Sequence, residues 1–301
     1  MGKLSRALEK ALSDETVVTP AEKMEVRKTD ITGMNGAGPG EEKNVTGPRG
    51  ERLPDILTGD TGRWDERIRI STDSSSPLAE SFRRLRSKIV HPEGDAPLRT
   101  ILVTSVGPEE GKGFVCANLG VALAQGLEHH ALIVDCDLRR PSMAENFGLP
   151  NEVGLVDYLR DKVSITHLIR KTGLAKLSVI PSGRPPQNPA ELLDSKAMTQ
   201  LIDEVKTRYD DRFILFDSPP NIVASETMIL AQKVDGVVLV VRWGRAGRQQ
   251  VKDLVEMIGK EKIVGIVFNA YEENLIEKYF KKQGYRYDSY YTYSKYTKPK
   301  S

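Results

Sequence analysis

Four groups of side chains in this chain have types and spacings that could do chemistry. The first is Lys112, which closes the turn Gly107-Pro108-Glu109-Glu110-Gly111. A lysine at the end of a glycine-bounded turn sets a mobile ammonium beside converging backbone N–H groups, an arrangement that holds phosphate. The second group is acidic: Asp135 and Asp137, two residues apart, and Asp217, each following a wholly apolar run. Carboxylates at strand ends sit where α/β sheets bind ligands, though Asp135 and Asp137 also read as solvated loop acids or partners of Arg139 and Arg140, while Asp217 has the form of a magnesium-site carboxylate. The third is a cluster of six phenols, Tyr285, Tyr287, Tyr290, Tyr291, Tyr293 and Tyr296, interleaved with Arg286, Asp288, Ser289, Ser294 and Lys295. With no large aliphatic residue there to build a core, these tyrosines read as modification sites on a flexible tail, or else as a strand added to some edge. The fourth is Glu80-x-x-Arg83-x-x-Arg86, whose members share one third of a helix circumference. A bare i,i+3 pair of this kind is worth only tenths of a kcal/mol.

The elements around these residues predict how they are held. Ile101 to Val103 is an apolar strand, and Lys112 opens a segment with Val115, Leu119, Ala122 and Leu123 at helical spacing. Strand, glycine turn and helix together aim the positive end of a helix dipole at one point, joined there by the amides of Gly111, Lys112, Gly113 and Phe114. Two departures from G-x-x-x-x-G-K-S/T stand out: Val106 occupies the position of the first glycine, and Gly113 that of the Mg²⁺-ligating hydroxyl. A Gly-Lys pair also occurs in ordinary strand–helix connections, so the loop alone does not decide the matter.

Further strands are predicted at 131–135, 177–181, 213–217, 236–241 and 263–269, separated by helices, including one over about 190–209. Ser76-Pro77 starts a helix over 78–89, with proline at its first position. Alternation of this kind predicts an α/β fold: a doubly wound, mostly parallel sheet with helices on both faces.

The chain has 301 residues and a formal charge of +2, so there is no global pull toward nucleic acid. No apolar run approaches the roughly 20 residues needed to cross a bilayer. Met1-Gly2 lacks the Ser or Thr that a myristoylation signal needs, since Arg6 stands there. Cys116 and Cys136 lie in apolar runs without metal or redox spacing and read as small core residues. His91, His129, His130 and His167 form no ligand set or triad pattern. Residues 1–13 carry one apolar stripe, Leu4, Ala7, Leu8, Ala11 and Leu12, on a short amphipathic helix. Residues 14–65 are rich in Gly, charge and Pro and read as a disordered linker. The division is therefore 1–13 helix, 14–65 linker, 66–280 phosphate-loop domain and 281–301 tyrosine-rich tail.

Taken together, these motifs resemble the bacterial tyrosine autokinases of capsule and exopolysaccharide export, over about 68–296. The likeness rests on Gly107 to Lys112, on Val134-Asp135-Cys136-Asp137-Leu138-Arg139-Arg140-Pro141, on Phe216-Asp217-Ser218-Pro219-Pro220 and on the terminal tyrosines. It implies a P-loop NTPase-like kinase domain with ATP and Mg²⁺ as cofactors. Lys112 and the loop amides hold the outer phosphates, Asp135, Asp137 and Asp217 hold Mg²⁺ directly or through water, and Asp135 or Asp137 accepts the tyrosine proton. Asn269, at a strand end, is placed near the adenine. Glu80, Arg83 and Arg86 join subunits into a ring, and each tail is phosphorylated in a neighbour's site. Accumulated charge, roughly two units per phosphotyrosine, then loosens the ring. The resemblance also implies a separate cytoplasmic protein, recruited to the inner membrane face by a transmembrane chain-length regulator and reset by a tyrosine phosphatase.

Gly113 and Glu109 depart from the family pattern and predict a weakened kinase. A carboxylate at position 109 facing a triphosphate at ~6 Å would cost about 3 kcal/mol at an effective dielectric of 20, so Glu109 must point outward or be offset. Two rivals follow. A partition or division switch ATPase would need a second lysine where Gly107 stands, and would not end in tyrosines. A catalytically inactive scaffold, phosphorylated from elsewhere, is supported by Gly113.

Overall fold

The computed structural model describes residues 16–17, 61–92, 98–208, 211–220 and 225–270. One sheet organises them. Its strands are β1 (Thr16–Val17), β2 (Thr100–Ser105), β3 (His130–Asp135), β4 (Arg170–Lys171), β5 (Leu177–Ile180), β6 (Arg212–Asp217), β7 (Gly236–Arg242) and β8 (Ile263–Asn269). The spatial order is β1-β8-β7-β2-β6-β3-β5-β4, and only β4 runs antiparallel to its neighbour. This is the doubly wound, mostly parallel architecture that the alternating pattern predicts.

Both faces are covered, and successive residues of each central strand serve opposite faces. Ile101, Val103, Ile133 and Leu215 pack under the helices Pro77–Val90 and Lys112–Ala124. Leu102, Leu132, Val134, Ile214 and Phe216 pack on the other side, with Leu201 and Val205 of the helix Lys196–Arg208 and Leu254 and Ile258 of Arg248–Ile258. The helix Pro77–Val90 begins where the sequence says it should. Ser76 Oγ accepts the Ala79 amide at 3.0 Å, and the buried stripe is Leu78, Phe82, Leu85 and Ile89.

Two expectations need correction. The helix read over 190–209 is two helices, Pro189–Leu193 and Lys196–Arg208. Ser195 divides them: its hydroxyl donates back to the Leu192 carbonyl at 2.7 Å and accepts the Met198 amide at 3.2 Å. The segment 14–65 is not all linker. Trp64 is 5% exposed and meets Phe147 edge-on, with ring centroids 4.9 Å apart. Thr16–Val17 pairs with Val267 and Phe268 of β8. Isolated apolar residues such as these have no period to reveal them. The helix read at 1–13 and the tail at 281–301 lie outside the described residues.

The topology gathers the acidic residues. From β2 the chain crosses to β3, leaving a gap that β6 later fills; after β6 it crosses to β7 on the far side of β2. Register sets Asp217 of β6 opposite both Val103 of β2 and Asp135 of β3. The carboxyl ends of these central strands meet the N-terminus of the helix Lys112–Ala124, where the winding changes direction and such sheets bind ligands.

Candidate active site

The loop between β2 and its helix is laced from within. Gly111 takes φ +91° at the helix N-cap, and a Cβ there would collide with the Asn269 amide. That amide donates to the Glu110 carbonyl at 2.8 Å, so the end of β8 pins the turn. Glu110 Oε1 accepts the Gly107 amide at 3.1 Å, while Oε2 has no partner and burial pushes the carboxyl pKa up. Gly107 and Glu110, whose motif positions the family likeness assigns to nucleotide binding, are joined by this hydrogen bond, which shapes the loop. The amides of Lys112, Gly113 and Phe114, in the first helical turn, have no intrahelical acceptor. Glu109 sits at φ +59° with its carbonyl accepting from Arg242 Nη1 and its carboxylate paired to Arg245 at 3.0 Å. It points outward, as the electrostatic argument requires.

The charged centre lies below this turn. Lys112 Nζ donates to Asp137 Oδ2 at 2.7 Å, and both side chains are largely buried. Asp137 Oδ1 accepts the Arg140 amide at 3.0 Å. Asp135 is saturated by backbone: Oδ1 accepts from Asp137 N at 3.2 Å, and Oδ2 from Ser142 N and Met143 N at 3.0 and 2.9 Å. Asp217 is different. It is fully buried and neither carboxylate oxygen has a hydrogen-bond partner. Burial and the neighbouring Asp217 push Asp135 upward. Burial also pushes Asp217 upward, resisted by Lys112 and by the Ser142 hydroxyl nearby. Burial opposes the Lys112 charge, yet Asp217, Asp137 and Asp135 outweigh it and raise its pKa.

The three aspartates do not form a ready metal cage. Among the described residues no group of three or more His, Cys, Asp or Glu side chains could hold a metal on its own. Asp137 is engaged by Lys112, and Asp135 by backbone amides. Asp217 alone presents two open, buried oxygens, a costly state without a cation. That suits Mg²⁺, which keeps several waters and takes one or two carboxylates plus substrate phosphate. At Gly113 a Cβ would lie 2.6 Å from Ser142 Oγ and 3.4 Å from Asp217 Oδ2, so the missing side chain faces this same point.

Residues 100–264 match a family model described as an AAA domain. The tyrosine-protein kinase YwqD of Bacillus subtilis (strain 168) is 34% identical over 210 residues, covering 69% of this chain and 87% of that protein. The chain belongs to the bacterial tyrosine-protein kinases. Also similar are the succinoglycan biosynthesis transport protein ExoP of Rhizobium meliloti (strain 1021), 29% identical over 79% of this chain and 31% of ExoP, and the crystal structure of the chimerical protein CapA2B2. The latter has a TM-score of 0.63 at 32% identity over 72% of this chain and 95% of that one.

In this kinase the other predicted residues are placed as follows. Arg83 binds Glu80 Oε2 through Nε and Nη2 at 2.9 and 2.6 Å, and Arg86 Nη1 donates to the Ala122 carbonyl at 3.0 Å. The trio thus has partners within its own chain. The six tyrosines lie outside the described residues. Cys116 and Cys136 are buried and unpaired, as their surroundings predict. Sequence reasoning missed Ser142, and it missed the role of Asn269 as a pin for the loop. It also missed Arg139, which pairs with the buried Glu226 at 2.9 Å. The Asp135-to-Pro141 motif pointed toward Ser142 but gave no sign that its hydroxyl meets position 113.

Proposed function

We propose that this chain is an ATP-dependent protein-tyrosine kinase that phosphorylates its own C-terminal tyrosines in trans and thereby regulates exopolysaccharide or capsule polymerisation and export. The observation that supports this best is the buried charge cluster at the strand ends. One ammonium, Lys112, is shared among three carboxylates, and Asp217 is left with two open oxygens. Bound Mg-ATP would supply the γ-phosphoryl group, with the cation neutralising charge that develops on it.

The chain's own residues then have distinct tasks. Lys112 leaves Asp137 for the phosphates, and the amides of Lys112, Gly113 and Phe114 face them. Asp137 Oδ2, released by that movement, accepts the proton of the incoming tyrosine hydroxyl. Asp135 is committed to backbone amides and holds the acidic turn in shape, so Asp137 is the better base of the two. Asp217 holds the cation.

Among the described residues no helix is long and apolar enough to cross a membrane. The proposed arrangement is a cytoplasmic ring of subunits joined through Glu80, Arg83 and Arg86. A transmembrane chain-length regulator holds it at the inner membrane face, and a tyrosine phosphatase reverses the modification. Gly113 supports a second reading, a weak or inactive scaffold of the same machinery. The test is incubation of purified protein, with the regulator's cytoplasmic segment, in Mg-ATP, followed by phosphotyrosine detection. Labelling lost in Lys112→Met and in a chain ending before Tyr285 supports the kinase; labelling absent throughout, or indifferent to Lys112→Met, removes it.

A further inference from the structure

Resting on the nucleotide-site reading above, we infer that Ser142 supplies the hydroxyl that loop position 113 lacks, so that the cation site is completed from the segment after β3 and not from the phosphate loop. A phosphate loop normally brings a Ser or Thr hydroxyl to Mg²⁺ from the residue after the lysine. Gly113 brings nothing. Yet the volume its side chain would occupy is not empty: Ser142 Oγ lies 2.6 Å from where a Cβ would stand, with Asp217 Oδ2 3.4 Å from the same point. A serine at 113 would carry its own oxygen one bond beyond that Cβ, so two hydroxyls would compete for one place.

A second observation is independent of the first. Ser142 stands at the N-cap of the short helix Met143–Asn146 but makes no side-chain capping bond. A serine at such a position ordinarily turns its hydroxyl onto the amides of the following turn. Here the hydroxyl turns instead toward Asp217, whose two buried oxygens have no partner. The backbone holds it in that attitude, because the amides of Ser142 and Met143 both bind Asp135 Oδ2. Asp135 is on this account a positioning residue: it fixes the segment that presents the hydroxyl.

The alternative is that Ser142 only fills the space beside a glycine. Titration of the full chain with a fluorescent ADP analogue, in Mg²⁺ and in EDTA, separates the two, with Mn²⁺ binding followed by electron paramagnetic resonance. The readout for each variant is the ratio of affinities with and without metal. Ser142→Ala is expected to lower that ratio, and the Mn²⁺ affinity, about tenfold. Gly113→Ser alone gains nothing, since the two hydroxyls collide, while Gly113→Ser with Ser142→Ala recovers most of the loss. Should Ser142→Ala fold poorly, Ser142→Thr and Ser142→Val match in volume and differ in the hydroxyl; only the first should keep the metal-dependent gain. An unchanged ratio in Ser142→Ala, equal ratios in the Thr and Val variants, or a double variant as weak as Ser142→Ala would overturn the assignment. If the unaltered chain binds no ADP analogue in either condition, the nucleotide-site reading itself has failed, a result distinct from those three.

Discussion

The two ends of the sheet each carry a lysine–aspartate arrangement, largely buried at the carboxyl end and partly exposed at the amino end, and they are built to opposite standards. At the amino end, Asp235 accepts from Arg99 N and Thr100 N at 3.0 and 2.9 Å and from Lys206 Nζ at 2.5 Å. Burial works against its charge, but the Lys206 and Thr100 hydrogen bonds outweigh it and hold its pKa below the ordinary value. At the carboxyl end, Lys112 is shared among three carboxylates, and Asp217 and Asp135 are both pushed up by burial. The first end is satisfied within the chain. The second has more acid than the chain can balance, an excess that the proposed cation would offset. The contrast separates an ion pair that holds the fold from one that is available for chemistry.

The largest effect should come from breaking the two lysines in parallel. Lys112→Met removes the ammonium that meets developing phosphate charge, and tyrosine phosphorylation should fall at least ~100-fold. Lys206→Met removes a half-exposed partner of Asp235, and should cost about 1 kcal/mol of stability or less with phosphorylation retained. Phosphotyrosine immunodetection and urea unfolding measure the two outcomes. Equal losses of activity would erase the distinction between the ends.

The two aspartates should differ in the sign of their stability effect. Asp235→Asn puts an amide against backbone donors and Lys206, and unfolding free energy should drop by about 2 kcal/mol. Asp217→Asn removes a buried charge offset only by Lys112 and the nearby Ser142 hydroxyl, and in the absence of nucleotide should raise stability by about 1 kcal/mol. The same change should abolish Mg²⁺-dependent nucleotide affinity. Destabilisation by Asp217→Asn would mean that its attraction to Lys112 outweighs its desolvation.

What could be read in the sequence divides along the same line. The strands, the Ser76-Pro77 helix start and the sequence of Lys112, Asp135, Asp137 and Asp217 were legible, because period and strand-end position are local properties. Which carboxylate stays open was not. Asp135 is saturated by amides of its own following turn, Asp137 by a lysine 25 residues before it, and Asp217 by nothing. Only the fold decides that partition. Ser142 was invisible for the same reason, since its relation to Gly113 is made across two elements.

The pH dependence sharpens the contrast further. The carboxyl of Asp217 is raised from 3.8 to about 6 and that of Asp135 to about 8. A raised carboxyl keeps its proton in the folded chain at pH values where the unfolded chain has released it. These groups therefore stabilise the fold most at low pH, and that contribution is lost as pH rises from about 4 toward about 8. Unfolding temperature of the nucleotide-free protein should fall across pH 5 to 8. Asp217→Asn should flatten part of that slope, and Mg-ADP should flatten it where its Mg²⁺ lies against the Asp217 carboxylate. Asp235, whose pKa is lowered, adds no slope in this window. A profile that rises from pH 5 to 8 would place the excess negative charge elsewhere.

The smallest expected effect concerns the rim of the phosphate loop. Glu109 holds φ +59°, a left-handed conformation that costs a side-chain-bearing residue roughly 1 kcal/mol. Its compensation is an exposed ion pair with Arg245, worth about 0.5 kcal/mol or less. On these magnitudes Glu109→Gly should leave the protein equally stable or stabler by about 0.5 kcal/mol, since strain relief exceeds the lost pair. Because the carboxylate points away from the helix N-terminus, the same change should move affinity for Mg-ADP by less than about twofold. Arg245→Ala, which keeps the strained backbone and removes the pair, should be mildly destabilising. A tenfold gain in nucleotide affinity on losing the Glu109 carboxylate would instead put that charge against the phosphates, and the loop would then have to rearrange when it binds.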